Sequence, residues 1–308
     1  LEHEALRRGD PRRGGLYPIP GTPEPARVIR QKGQALIPSA LSRRLLPFIY
    51  LLFFLSGATG LLYEVVWARM LTQIFGNTTH AIATVLSAFM AGLALGSYVF
   101  GRLVDARRNA LLAYGLLEGG VGLYGLLVPT LFALTQRAYG SLYGLVEVSF
   151  AAFSVVLFLL AFVVIVIPTA LMGATLPVLS RFCVTQFSAL GRRVGDLYAI
   201  NTLGAVVGCA LTGFFLISHL GLRATVRLGA SVNLAIAVLI VILVAALRGR
   251  GATPEEDGEE SPAAPEGGPA RSRPDMALLL AFALSGMAAM VYENAWTRAL
   301  TLVIGMST

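Results

Sequence analysis

The chain has 308 residues, of which 56% are hydrophobic and only 13% charged, and its formal net charge is +7. Soluble globular chains carry about 25% charged residues, so these figures, with a mean hydropathy of +0.73, exclude a soluble domain and point to a protein whose solvent is the lipid bilayer. The positive balance would suit nucleic acid only if it were gathered on one surface, and it is not.

Residues 1–44 come first, rich in Pro, Gly and Arg and without helical or strand periodicity, and are expected to form a disordered basic tail resting on anionic lipid. Apolar runs long enough to cross a hydrocarbon core about 30 Å thick follow at 45–69, 80–101, 110–134, 147–168, 198–219 and 226–247. Together they make a first six-helix transmembrane repeat over 45–247. An acidic, Pro/Gly-rich linker over 248–275 then leads to a seventh run beginning at 276. The alternating ten-residue segments of a β-barrel are absent from the sequence.

Of the 24 Lys and Arg residues, nineteen fall in the tail, the 102–108 loop, the 181–193 segment and the linker. Arg137, Arg223 and Arg227 lie on the opposite side, and Arg69 and Arg298 lie inside apolar runs. The positive-inside bias predicts that the N-terminus and the linker are cytoplasmic. The two cysteines, Cys183 and Cys209, have no spacing that suggests a disulfide framework or a zinc site, and are expected to be packing residues.

The most informative feature is a repeat. "SGATGLLYEVVWARMLTQIFGNTT" (56–79) and "SGMAAMVYENAWTRALTLVIGMST" (285–308) share ten identities in 24 aligned positions at a constant offset of 229. The pairs include Glu64 with Glu293, Trp67 with Trp296 and Arg69 with Arg298, and Tyr63 has its counterpart too. Six crossings return the chain to its starting side, so the seventh run enters in the same direction as the first. The expected fold is therefore an all-α integral membrane protein: a six-helix half-bundle plus the first helix of a parallel second repeat, in the major-facilitator-like manner. Residues 276–308 read as the truncated start of that second repeat, and the chain as a piece of a longer one.

On a helical wheel Glu64 shares a face with Gly57, Gly60 and Ala68, and Glu293 one with Gly286, Ala289 and Thr297. Both carboxylates thus emerge from grooves of small residues, where another helix can come close. Two depths fit Glu64. Tyr63, Trp67 and Arg69 could belong to an aromatic and basic belt at the outer headgroups; alternatively the helix continues to Phe75 and leaves Glu64 about 16 Å from its end, where a carboxylate needs a partner or a proton.

Further along, Glu118 sits in a run with Gly115, Gly119 and Gly122 around it and is expected to point into the bundle, as a ligand site or as a buried hydrogen-bonding group. Asn201 and Thr202, beside Gly204 and Gly208, suggest hydrogen bonding across a close helix pair. Pro168, Gly173 and Pro177 are expected to interrupt the fourth helix. No His, Cys or carboxylate cluster has metal spacing and no nucleophile–base pair is visible, so no metal ligand or catalytic residue is expected. "GVGLYG" (120–125) lies within an apolar run with no preceding strand and is not a nucleotide loop. "NTT" (77–79) matches a glycosylation acceptor, which has meaning only in a eukaryotic source.

The paired "SG-x5-YE-x2-W-x-R-x-L" motif, "GLALGSYVFGRLVD", "PTALMGATLP" and "DLYAINTLGAVVGCALTGFFL", in that order, resemble the multi-pass membrane region of bacterial spermidine-synthase-like proteins, a major-facilitator-like bundle fused to a polyamine aminopropyltransferase domain. The resemblance covers about 45–308. It implies the inner (plasma) membrane of a bacterium, and an enzyme domain beyond residue 308 that would bind decarboxylated S-adenosylmethionine and a polyamine. No cofactor and no catalytic position can be carried onto this chain. Its implied partners are the bilayer, the remainder of its own chain and a polyamine-like cation, not nucleic acid. A major-facilitator-type secondary transporter without an enzyme domain, and a structural membrane scaffold, are the alternatives. The residues on which a ligand or a helix-pairing role would rest are Tyr63, Glu64, Trp67, Arg69, Glu118, Asn201, Glu293, Trp296 and Arg298.

Overall fold

The computed structural model describes residues 39–75, 78–103, 110–143, 150–187, 190–249 and 276–304, all of them helical apart from the single turn residue Gly221. In chain order the helices are α1 (Ser39–Phe75), α2 (Thr78–Leu103), α3 (Ala110–Tyr143), α4 (Phe150–Phe187), α5 (Leu190–Leu211), which passes through a π turn (Thr212–Leu216) into α6 (Ile217–Leu220), then α7 (Leu222–Gly249) and α8 (Met276–Ile304). Seven stretches are long and apolar enough to cross a membrane: Leu45–Phe75, His80–Leu103, Ala110–Arg137, Val155–Cys183, Arg192–Leu220, Leu222–Gly249 and Met276–Ala299. Helices are the elements expected there, because in hydrocarbon every backbone N–H and C=O must find its partner within the protein.

Most boundaries agree with the hydropathy reading to within a few residues; the first, fourth and fifth helices depart from it, the fifth span starting at Arg192 and not at 198. α1 begins at Ser39, inside the stretch expected to be disordered tail. The rest of the tail, residues 1–38, and linker residues 250–275 lie outside the described residues. The fourth span is Val155–Cys183 and not 147–168.

That shift has a cause, because α4 runs unbroken through Pro168, Gly173 and Pro177. A proline removes one N–H, and Pro177 leaves the carbonyl of Gly173 without its helical donor. The Ser97 hydroxyl of α2 donates to that carbonyl at 2.8 Å. Beside Pro168, the Thr169 hydroxyl donates to the Ile165 carbonyl at 2.8 Å. At Pro177 a hydroxyl of a neighbouring helix thus takes over what the proline removes, whereas the Thr169 bond falls one residue beyond the Val164 carbonyl that Pro168 frees.

Gly173 serves as a contact point and not as a break. A Cβ there would fall on the Leu93 backbone of α2, and Cβ atoms on Gly92 and Gly96 would fall on Thr169 and on the Ala170 carbonyl of α4. The same device joins α1 to α5, where Gly57 meets the Asn201 backbone, Gly204 the Phe54 carbonyl and Gly208 the Ala58 carbonyl. In lipid, association of helices rests on such close packing and on hydrogen bonds, because the tails outside are as apolar as leucine. The third major pairing, α3 with α7, completes the bundle.

Two apolar clusters fill its interior. One gathers Ile49, Phe53, Leu111, Leu179 and Ile240 at one end; the other gathers Tyr63, Trp67, Phe89, Val128 and Ile165 at the opposite end. Cys183 belongs to the first, whereas Cys209 is exposed on α5, contrary to the packing role expected of it. The large residues facing outward, such as Leu51, Leu116, Leu123, Val163 and Phe214, are apolar as well, which is the surface a bilayer requires. α8 is the least packed of the spans: no residue of its apolar span is fully buried, although it touches α2.

α6 and α7 are joined by one residue. Gly221 adopts φ 77° and ψ 167°, a region that essentially only glycine enters. Its carbonyl accepts from the Thr225 N–H at 3.1 Å and from the Thr225 hydroxyl at 2.8 Å, which fixes where α7 starts.

Candidate functional site

Between the two apolar clusters lies a polar layer. Glu118 of α3 is 1% exposed. Its Oε1 accepts from the Ser56 hydroxyl of α1 at 2.5 Å, and its Oε2 accepts from the Asn233 amide of α7 at 2.6 Å. The Asn233 Oδ1 in turn accepts from the Tyr63 hydroxyl of α1 at 3.2 Å. With Glu118 ionised, this amide orientation is the one that suits both neighbours, since a flipped Asn233 would turn its oxygen towards the carboxylate. A chain of four side chains, Tyr63–Asn233–Glu118–Ser56, thus ties three helices together.

Three of the four, Ser56, Glu118 and Asn233, border a cavity of about 100 Å³ whose polar lining also includes Thr59, Thr175 and Asn201. Gly57 and Gly60 of α1 leave room at its wall. Asn201 is held by its own bond, the amide donating to the Phe53 carbonyl at 3.2 Å. Among the described residues every polar side chain around the cavity other than Glu118 is neutral, and no Lys or Arg lines it.

The remaining sequence candidates divide into two environments. Tyr63 and Trp67 are wholly buried, their rings stacked at 5.1 Å, with Phe89 of α2 6.5 Å from Trp67. A headgroup belt is therefore not where these two rings sit. Arg69 is exposed on the same helix. α1 continues through Glu64 to Phe75, and Glu64 is 9% exposed. Glu293 and Trp296 of α8 are exposed, as is Arg298, so the second copy of the motif does not share the packing of the first.

Sequence reading singled out Glu118 and Tyr63 but missed Asn233 and Ser56. Asn233 carried the same signal as Glu118, a lone polar residue within an apolar run, and Ser56 is one of the residues shared by both motif copies. What no local pattern could supply was their convergence, since Glu118 and Asn233 are 115 positions apart. Among the described residues no group of His, Cys, Asp or Glu could hold a metal ion.

Comparison with known proteins finds similarity to two proteins of Streptomyces coelicolor. Polyamine aminopropyltransferase 2 is 28% identical over 194 residues, 61% of this chain and 32% of that protein. Polyamine aminopropyltransferase 1 is 25% identical over 203 residues, 64% of this chain and 34% of that protein. The chain spans about a third of the length of these curated relatives. No family model matches, and no solved structure matches.

Proposed function

We propose that this chain is the membrane-spanning portion of a spermidine-synthase-like protein, and that the cavity beside Glu118 receives an ammonium group of a polyamine or related cation. The observation that carries this reading is the makeup of the Glu118 site. Both carboxylate oxygens are engaged by neutral donors, and the cavity they border offers no basic side chain. A carboxylate in a low-dielectric interior needs a cation or a proton. The positive charge must then come from a ligand or from solution, and a primary ammonium, with three donors, suits a cavity whose other lining groups are hydroxyls and amides. A volume of about 100 Å³ suits the end of an amine and not a whole polyamine. The similarity to polyamine aminopropyltransferases supports amines over other cations.

In the full-length protein, putrescine or spermidine should raise the melting midpoint by roughly 3 °C or more at ten times the dissociation constant, and Glu118→Gln should remove most of that rise. Stabilisation by dicarboxylates or phosphates with none by amines would sink the reading and favour a major-facilitator-type transporter of anions. No stabilisation by either class would favour a scaffold.

The bundle's orientation belongs to the same proposal and rests on the basic asymmetry. In a background without Cys183 and Cys209, single cysteines at Thr78 and Gly140 should react with an impermeant maleimide on intact cells. Those at Ala106 and Gly258 should react only after permeabilisation. Labelling of Gly258→Cys from outside would overturn the cytoplasmic linker, and with it a cytoplasmic enzyme domain downstream. Decarboxylated S-adenosylmethionine is assigned to no residue here.

A further inference from the structure

Among the described residues, three hydroxyls line the Glu118 cavity, and each has committed its one hydrogen. Ser56 donates to the Glu118 Oε1 at 2.5 Å, Thr59 of α1 to the Ser56 carbonyl at 2.9 Å, and Thr175 of α4 to the Met172 carbonyl at 2.7 Å. A carbonyl or an ionised carboxylate has no hydrogen to give, so the acceptors fix the direction of all three bonds. What each hydroxyl keeps for a guest is an oxygen that accepts. Thr59 and Thr175 are 4% and 5% exposed, so these oxygens are sheltered from bulk water.

Such a wall does more than call for positive charge. Glu118 answers the charge of any cation, but the hydroxyl oxygens around it are satisfied only by N–H or O–H donors. A methyl group in place of an N–H leaves a buried oxygen without its partner, and a site built to hydrogen-bond its guest rejects an analogue that lacks the donor.

We propose that the Ser56, Thr59 and Thr175 oxygens make the cavity count the N–H donors of its cation, so that it admits a primary alkylammonium and discriminates against secondary, tertiary and quaternary heads. Thr59 and Thr175 are the specificity-determining pair, because Ser56 is also tied to Glu118. This selectivity rests on the amine reading of the Glu118 site and adds to it which head groups are admitted and which side chains sort them.

The test is displacement of radiolabelled spermidine from the full-length protein in nanodiscs by butylamine and its N-methyl, N,N-dimethyl and N,N,N-trimethyl derivatives, scored on the binding that Glu118→Gln removes. In the wild type each methyl group should weaken displacement about tenfold, the loss of roughly one hydrogen bond to a charged group. Size alone would also disfavour the methylated heads, and the threonines separate the two causes. Thr59→Val with Thr175→Val keeps the shape of the wall and removes two acceptors. It should weaken butylamine by about tenfold or more, leave the trimethyl compound unchanged and so flatten the series. Thr59→Ser with Thr175→Ser, which keeps both hydroxyls, should retain the steep series. If the double valine variant does not fold, each single valine variant should still weaken butylamine and spare the trimethyl compound. A series equally steep in the wild type and the valine variants makes size the sorting agent and overturns the proposal. A flat series in the wild type overturns it too, while leaving the amine site in place. Sodium ions that displace spermidine as well as butylamine does would show that the oxygens take a bare cation, and also overturn it. Absence of any Glu118-dependent spermidine binding is the separate failure of the amine reading, and removes this selectivity with it.

Discussion

Gly173→Leu is expected to destabilise the bundle by at least about 3 kcal/mol, at or above the upper end of the usual overpacking cost. A Cβ at Gly173 would lie on the Leu93 backbone, so the new side chain can be accommodated only by moving α2 and α4 apart. That separation also breaks the Ser97 bond to the Gly173 carbonyl, the acceptor freed by Pro177. A buried carbonyl left without a donor costs a further 1–3 kcal/mol or so. Gly195→Leu is the matched control. Nothing lies within 4 Å of its added Cβ, and its effect should stay within about 0.5 kcal/mol. Unfolding of purified protein in mixed micelles would read both. Equal stability of the Gly173 and Gly195 variants would mean that the α2–α4 contact is not as close as described.

Glu118→Leu and Glu118→Gln should part company. Leucine removes the acceptor of both the Ser56 hydroxyl and the Asn233 amide, leaving two buried donors unsatisfied at about 1–3 kcal/mol each. A loss of roughly 2–5 kcal/mol follows, less than additive because the two donors share one acceptor group and lie in one network. Glutamine keeps an acceptor for one donor and carries no charge that must be compensated, so its stability should fall by no more than about 1 kcal/mol. The pair thereby separates the two roles open for Glu118 from sequence alone. A hydrogen-bonding role is read as the stability gap between the variants, and a ligand role as the loss of amine stabilisation in the glutamine variant. A leucine variant as stable as the wild type would show that the network does not hold the helices together.

The spans were legible because twenty consecutive apolar residues are a signal that hardly anything else produces. The interior site was legible in part. A carboxylate set among glycines within such a run announces that it faces protein, and Glu118 does. Its partners were not legible, since Asn233 and Ser56 reach it only through the packing of α7 and α1 on α3. The prolines of α4 misled for a related reason. The rule that proline ends a helix counts only the helix's own donors, and the donor that rescues Gly173 belongs to Ser97 on another helix. Tyr63 and Trp67 fit both a belt and a core by type, and only their burial decides for the core.

The most direct measurement of the central claim is equilibrium binding of radiolabelled spermidine to full-length protein in nanodiscs, wild type against Glu118→Gln. An enzyme domain beyond residue 308 would bind spermidine in both proteins, so the quantity of interest is the difference between them. The account predicts one additional site per chain in the wild type, competed by putrescine and by simple alkylamines but not by dicarboxylates, and absent from the glutamine variant. Identical stoichiometry and affinity in the two proteins would contradict it, and would leave Glu118 as a tie between helices and nothing more.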